Sequence, residues 1–399
     1  MKYLPIFLRK NLLLILSLFL FSQSPKMLAQ EANIVNPLTT NFSSELLPRI
    51  DRNLTAFERK RVEERMIELD TLAKEQIKED NLEQAFTFWY EAINLSRYLS
   101  VKRELETITN VADIAWNKQR PQDITFLKER LLVIEQENIQ DQQENQEILS
   151  LLIDAYSNLH YLDKLIEIYE QQLEITRQNN QEEIIYTNLD RLGELYRAKF
   201  DYYKAQPIYQ ELLKIAKENE DYLGQSNYLQ VLAEIGQALV NPENAVKYKE
   251  ELAIIYQQES KLLPLSQLQI AIGNDYQDLD KPELASESYQ EAFTLALSLQ
   301  QYAVAGDALK KLGKLYQKYQ QLDSALQIYQ ELIKIESNSY NYYGLMNTYD
   351  FIGTIYTQKA DYNSALTYFQ RAMTLASQLK YKEDYFQQKI IQLESLNNN

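Results

Sequence analysis

The sequence predicts an all-α protein, a stack of about eight antiparallel helix hairpins, and three observations predict it. Its 399 residues include only 8 Gly and 9 Pro, too few turn formers for a β-rich chain of this size. Small and aromatic residues recur at i,i+4 spacing, which places them on one stripe of a helix. Above all, one pattern returns. Leu312-Gly313-x-x-Tyr316, followed by Ala325 and Tyr329, reappears 40 residues later as Ile352-Gly353-x-x-Tyr356, Ala365 and Phe369. A period of that length marks a repeat array rather than one globule.

Taken in order, the chain opens with Lys2, Arg9 and Lys10 ahead of a ten-residue, largely apolar run from Leu12 to Phe21. Crossing a bilayer takes about 20 apolar residues, so the run has the length of a signal peptide. Residues 1–29 are read as that peptide, with Ala29 and Ala32 as candidate cleavage sites. The expectation is an exported protein, periplasmic, lumenal or secreted, with no span in the mature chain. The chain has no Cys, which excludes disulfides, thiolate metal sites and a lipidated cysteine. Residues 30–54, with Pro37, Pro48 and the Asn/Ser/Thr cluster between Asn36 and Ser44, read as a linker. Thr55-Ala56-Phe57-Glu58 is a capping box, whose hydroxyl and carboxylate satisfy orphan backbone donors, so helical structure is expected from there.

The array is expected over residues 55–379. Its anchor slot aligns Ala73, Ala112, Ile153, Gly193, Gly236, Gly273, Gly313 and Gly353, at intervals of 39, 41, 40, 43, 37, 40 and 40 residues. Five of the 8 Gly therefore fall in one slot. Gly inside a helix costs about 1 kcal/mol against Ala, so its return implies that two helices approach too closely for a side chain. Three residues on stand Tyr156, Tyr196, Tyr276, Tyr316 and Tyr356. A second small slot follows with Ala85, Ala205, Ala285, Ala325 and Ala365, and four residues later Trp89, Tyr209, Tyr289, Tyr329 and Phe369. Breakers separate the two helices, most legibly Asn241-Pro242, an N-cap followed by Pro at the first helical position. At Gly236 the turn reads as shortened, bringing Ala245 in three residues early. Residues 380–399 read as a capping helix and tail, with Tyr385, Phe386, Ile390, Ile391 and Leu393 on one side, since the last apolar face of an array must be covered.

This pattern resembles the tetratricopeptide repeat (TPR) family, whose consensus carries Leu-Gly-x-x-Tyr on the first helix of each unit, then Ala, an aromatic and Ala on the second; Ala292 and Ala372 match the last position. The period is similar to that of the long-repeat variant in kinesin light chains. The resemblance implies a right-handed superhelical solenoid whose first helices line a concave, ligand-binding groove. It assigns to that groove Asp307, Lys310, Lys311, Lys314, Gln317 and Lys318 of the unit anchored at Gly313. Other units contribute Trp116 beside Asn110, Asp113 and Asn117; Asn158 beside Asp154 and Ser157; Arg191 and Arg197 beside Asp190 and Glu194; and Asn274 beside Gln267 and Gln277. The four lysines stand out in a chain of net charge -16 and suit an acidic segment or a C-terminal carboxylate. Asn and Gln suit a peptide backbone, because each both donates and accepts.

Little chemistry beyond binding is readable. The one His, His160, falls in a turn without an orienting partner. No phosphate-binding Gly loop, HExxH or GxSxG motif occurs. The acidic balance argues against a nucleic-acid surface, which needs a basic stripe. The expectation is a non-enzymatic interaction scaffold without cofactor or metal, binding a protein or peptide and assisting an envelope or lumenal complex. The alternatives are a cytosolic peptide-sensing regulator and an accessory subunit of an enzyme.

Overall fold

A left-handed residue at every twentieth position sets the architecture. Positive φ occurs at His160, Asn180, Phe200, Glu220, Val240 and so on to Lys380. The computed structural model describes residues 35–50, 52–139 and 145–397; the signal peptide read over residues 1–29 lies outside them. Seventeen helices and no strand are found among the described residues. They fall into two compact units, residues 1–161 and 162–399. The first holds α1 (Ala56–Lys78), α2 (Leu82–Ser96), α3 (Val101–Asn117), α4 (Pro121–Asn138) and α5 (Gln146–Asn158). The second begins with α6 (Leu162–Gln178), α7 (Glu182–Ala198), α8 (Tyr202–Glu218), α9 (Tyr222–Ala238), α10 (Pro242–Gln258) and α11 (Leu262–Asp278). It continues with α12 (Pro282–Ser298), α13 (Tyr302–Lys318), α14 (Leu322–Asn338), α15 (Tyr342–Gln358), α16 (Tyr362–Leu379) and α17 (Glu383–Asn397).

The turns explain the period. At the end of α9 the Val240 N–H donates to the Gln237 carbonyl at 3.0 Å and the Asn241 N–H to the Gly236 carbonyl at 2.8 Å, the paired bonds that close a helix on a left-handed residue. Asn241 then caps α10, its side chain accepting from the Asn244 N–H at 3.1 Å. One residue thus satisfies the carbonyls of one helix and the donors of the next, and a 17-residue helix plus three turn residues makes half a repeat. Gly is favoured at such left-handed positions, yet none of them holds Gly.

Glycine is used instead inside the helices, where a ring lies on it. A Cβ at Gly193, Gly273, Gly313 or Gly353 would come within 2.9, 2.5, 2.4 and 2.9 Å of the rings of Tyr209, Tyr289, Tyr329 and Phe369. Those four rings are almost wholly buried. Each hairpin therefore closes by laying the aromatic residue of its second helix on the bare backbone of its first.

The turn spacing corrects the register in one unit. Gly193, Gly273, Gly313 and Gly353 each stand seven residues before a left-handed residue, and the equivalent position before Val240 is Ala233, which is buried. Gly236 occupies the slot that Tyr196 and Tyr276 fill elsewhere, and the turn to Ala245 has ordinary length. The aromatic slot of α10 holds Lys249. With both rings missing the helices close up, so that a Cβ at Gly236 would lie 3.0 Å from the Ala245 backbone nitrogen.

In the first unit the stretch read as a linker is fastened down where it is described. Leu38 is fully buried, and the Asn36 side chain donates to the Phe126 carbonyl at 3.0 Å and to Glu129 at 2.9 Å. The Asn94 amide donates to the Pro37 carbonyl at 3.1 Å, and Arg97 donates to that of Leu38. Arg97 and Arg130 share the buried Glu104 at 3.1 and 2.6 Å, and burial pushes the Arg97 guanidinium below its ordinary pKa. Phe42, Leu46, Leu47 and Leu54 pack against the start of α1 and the end of α2. The capping box forms, with the Thr55 N–H donating to Glu58 at 2.8 Å and the Glu58 N–H to the Thr55 hydroxyl at 3.3 Å. Arg52 first, and then Thr55, hold the Glu58 carboxyl down at about 2. At the other end α17 buries Phe386 and Leu393, with Ile390 packed beside them. Tyr385 and Ile391, read on that same face, are largely exposed; the Tyr385 hydroxyl donates to Asp350.

Two glycines of α13 separate close approach from propensity. Gly313→Ala is expected to destabilise the second unit by about 1–3 kcal/mol through overpacking against Tyr329. In Gly306→Ala the new Cβ meets nothing nearer than 3.6 Å, and stability should rise by about 0.5–1 kcal/mol from helix propensity. Urea denaturation of both variants checks the pair.

Candidate functional site

The first helices of the second unit, α7, α9, α11, α13 and α15, carry the polar positions assigned to a groove. Between α11 and α13 lies a cavity of about 540 Å³, lined by Gln267, Ile270, Ala271, Asn274, Ala303, Val304, Asp307 and Lys311. Its apolar lining is Ile270, Ala271, Ala303 and Val304, and its polar lining offers two amides, one carboxylate and one ammonium. The Asn274 carbonyl oxygen accepts from the Tyr289 hydroxyl at 2.9 Å, which holds that amide from the second helix of its own hairpin.

The lysine stripe divides between two neighbours. Lys310 pairs with Asp307 one turn earlier at 2.7 Å, and Lys314 lies over the Phe351 ring of α15 at 5.2 Å. Lys318 reaches toward Asp280 at 4.0 Å and covers the Tyr319 ring. Lys311 faces the cavity; of the four lysines, only Lys310 and Lys318 have an ion-pair partner among the described residues. Exposed pairs of the Lys310–Asp307 kind are worth about 0–1 kcal/mol, so a stronger acceptor displaces them readily.

On α7, Arg191 pairs with Glu194 at 3.0 Å. Arg197 pairs with Glu234 of α9 at 3.2 Å and covers the Tyr209 ring at 5.8 Å. Those two helices frame a smaller cavity of about 420 Å³ that includes Phe200 and Tyr202. Burial, with Glu194 adding to it, raises the Asp190 carboxyl above its ordinary pKa. In the first unit Trp116 is 41% exposed and stacks on His160, centroids 4.0 Å apart and planes 10° apart. The Asn158 amide is tied to the Thr109 carbonyl at 3.1 Å.

Sequence reasoning missed one pair. Lys249, in the aromatic slot of α10, donates to Asp275 of α11 at 2.6 Å, and the two side chains are only 8% and 7% exposed. The signal was present: a lysine four residues after Ala245, where its counterparts carry rings. Among the described residues no group of three His, Cys, Asp or Glu side chains is placed to hold a metal ion, and no helix is long and apolar enough to cross a membrane.

These features define an all-helical repeat protein whose first helices offer a polar, partly apolar-floored face. Residues 304–378 and 186–219 match tetratricopeptide repeat family models, so these stretches of the second unit carry tetratricopeptide repeats. No curated protein sequence matches it. Among solved structures it is similar to BtubC (BKLC) from P. vanneervenii, at 19% identity over 55% of this chain and 92% of that one, with a TM-score of 0.38. The apo form of RapI is 17% identical over 73% and 81% of the two chains, with a TM-score of 0.44. A putative kinesin light chain with nearly identical TPR-like repeats from Podosopora anserina is 13% identical over 48% and 95%, with a TM-score of 0.38.

Asp275→Ala would leave the Lys249 ammonium buried without a partner, and a loss of about 3–5 kcal/mol is expected in chemical denaturation. Adding Lys249→Met to that variant should restore most of the loss, because an apolar pair of similar volume needs no counter-charge. A loss below about 1 kcal/mol for Asp275→Ala would mean that water reaches the pair.

Proposed function

We propose that the chain is a non-enzymatic scaffold that holds an extended, acidic peptide segment of a partner protein along the first helices of its second unit. The observation that carries this reading is Lys311, which lines an apolar-floored cavity beside two amide side chains. A partner carboxylate would gain a charge-assisted hydrogen bond there, while Gln267 and Asn274 can both donate to and accept from its backbone. Lys314 and Lys310 extend the positive strip toward α15, against the negative charge of the whole chain. Export to a periplasmic, lumenal or extracellular space belongs to the same proposal and rests on the sequence pattern of residues 1–29; assembly of a complex in that space is the role it suits.

Reversing Lys310, Lys311 and Lys314 to Glu leaves the buried rings untouched, so helical content and thermal midpoint should hold while partners captured from a native extract are lost. Capture that survives in the folded triple variant would remove the first-helix face as the binding surface. N-terminal sequencing of the mature protein tests export: a start near residues 30–33 is expected, and an intact Met1 in the cytosolic fraction contradicts it.

A further inference from the structure

A cavity larger than the one between α11 and α13 is on the opposite helices, between α10 and α12 over α11. It measures about 1010 Å³ and is lined largely by apolar groups, Ala253, Ile254, Leu265, Ile272 and Leu295 among them. Ile254 is 55% exposed and shares the cavity with Leu262 and Leu284, 36% and 39% exposed; a cluster of exposed apolar side chains rimmed by polar ones is the mark of a binding groove.

The first unit shows what covers the equivalent groove. Val101 and Pro121, which open α3 and α4, correspond to Leu262 and Pro282, which open α11 and α12, an offset of 161 in both cases. Leu82 of α2 corresponds at 160 to Pro242 of α10. By that correspondence, the residues that grip the 36–38 segment in the first unit, Asn94, Arg97, Phe126 and Glu129, become Ile254, Gln257, Glu287 and Gln290. All four of these line the open cavity. The same position between two second helices is therefore filled in one unit by a turn of irregular chain with a buried leucine, and in the other is open.

The replaced residues say what the open groove prefers. The triad of Glu104, Arg97 and Arg130, one arm of which holds the Leu38 carbonyl, becomes Leu265, Gln257 and Glu291, so the floor turns apolar and the rim acidic. Glu250, Glu287 and Glu291 all line that rim and are exposed. We propose that this groove is a second binding site, for a non-helical segment of a partner protein that carries an aliphatic side chain between lysines or arginines. The aliphatic group enters between Ile254 and Leu295 as Leu38 enters between α2 and α4. Gln257 takes the backbone bond that Arg97 takes there and Gln290 the side-chain bond that Glu129 takes, and the flanking cations meet the carboxylates. A second copy's own 35–50 segment fits less well, since residues 31–48 hold no Lys or Arg to meet the carboxylates on either side of Leu38.

The test selects phage-displayed random peptides on the full-length chain and measures the enriched peptides, synthesised and fluorescently labelled, by anisotropy. Enrichment of an aliphatic residue flanked by Lys or Arg is expected. Affinity should fall at least tenfold in Glu287→Lys/Glu291→Lys and in Ile254→Asp, all at exposed positions that leave folding intact. The same peptides should bind the Lys310, Lys311 and Lys314 reversal unchanged, which separates this site from the first-helix face. No enrichment, acidic sequences only, or peptides indifferent to both groove variants would overturn the proposal.

Discussion

The regular hairpins of the second unit depend on an aromatic ring laid on bare backbone. Tyr209, Tyr289, Tyr329 and Phe369 lie against Gly193, Gly273, Gly313 and Gly353 at distances that leave no room for a methyl group. Because the contact joins the two helices of one hairpin, it fixes how far apart they stand and how they are rotated. Burial of such a ring removes more apolar surface from water than any aliphatic side chain does, and the neighbouring hairpin then covers its other side. A repeat array needs each unit to present the next with the same surface, and this contact is what makes the surface repeat.

Where the ring is absent the structure changes in a way that bears on function. At Ala233 and Lys249 the hairpin closes up until α9 and α10 nearly touch through Gly236 and Ala245, and a buried ion pair, Lys249 with Asp275, replaces apolar packing. Such a pair adds little net stability but specifies one arrangement, since a lysine removed from water needs its counter-charge in place. The open groove on the far side of α10 adjoins this exceptional hairpin. One departure from the repeat thus marks the place where the second unit offers a surface unlike its neighbours.

The fold was legible because it is written as a period. Leu312-Gly313-x-x-Tyr316 and its copies announce helix, close approach and helix again, and the capping box at Thr55 forms as the hydroxyl and carboxylate spacing requires. The register near Gly236 was not legible, because a glycine looks alike whether it lies under a ring or stands in place of a tyrosine. Only the left-handed turns decide, and with no Gly at Val240 or Phe200 the sequence does not display them. The packed segment around Leu38 hid for a related reason: an Asn-Pro-Leu-Thr stretch has no periodicity, and its partners, Asn94, Arg97 and Phe126, lie far along the chain. The groove lysines were visible as composition, but their division between α11 and α15 follows from helix rotation that no linear pattern records.

What the repeats hold constant is packing, and what varies on the faces of the first helices is polar. Partner recognition is proposed for that varying face, with Lys311 at its centre. The most direct measurement installs a photo-cross-linking amino acid at position 311 and, as a control, at Lys214 on the exposed face of α8. Irradiation of native extract should then attach a discrete partner through position 311 and none through position 214. Equal attachment at both positions, or attachment at 214 alone, would contradict it.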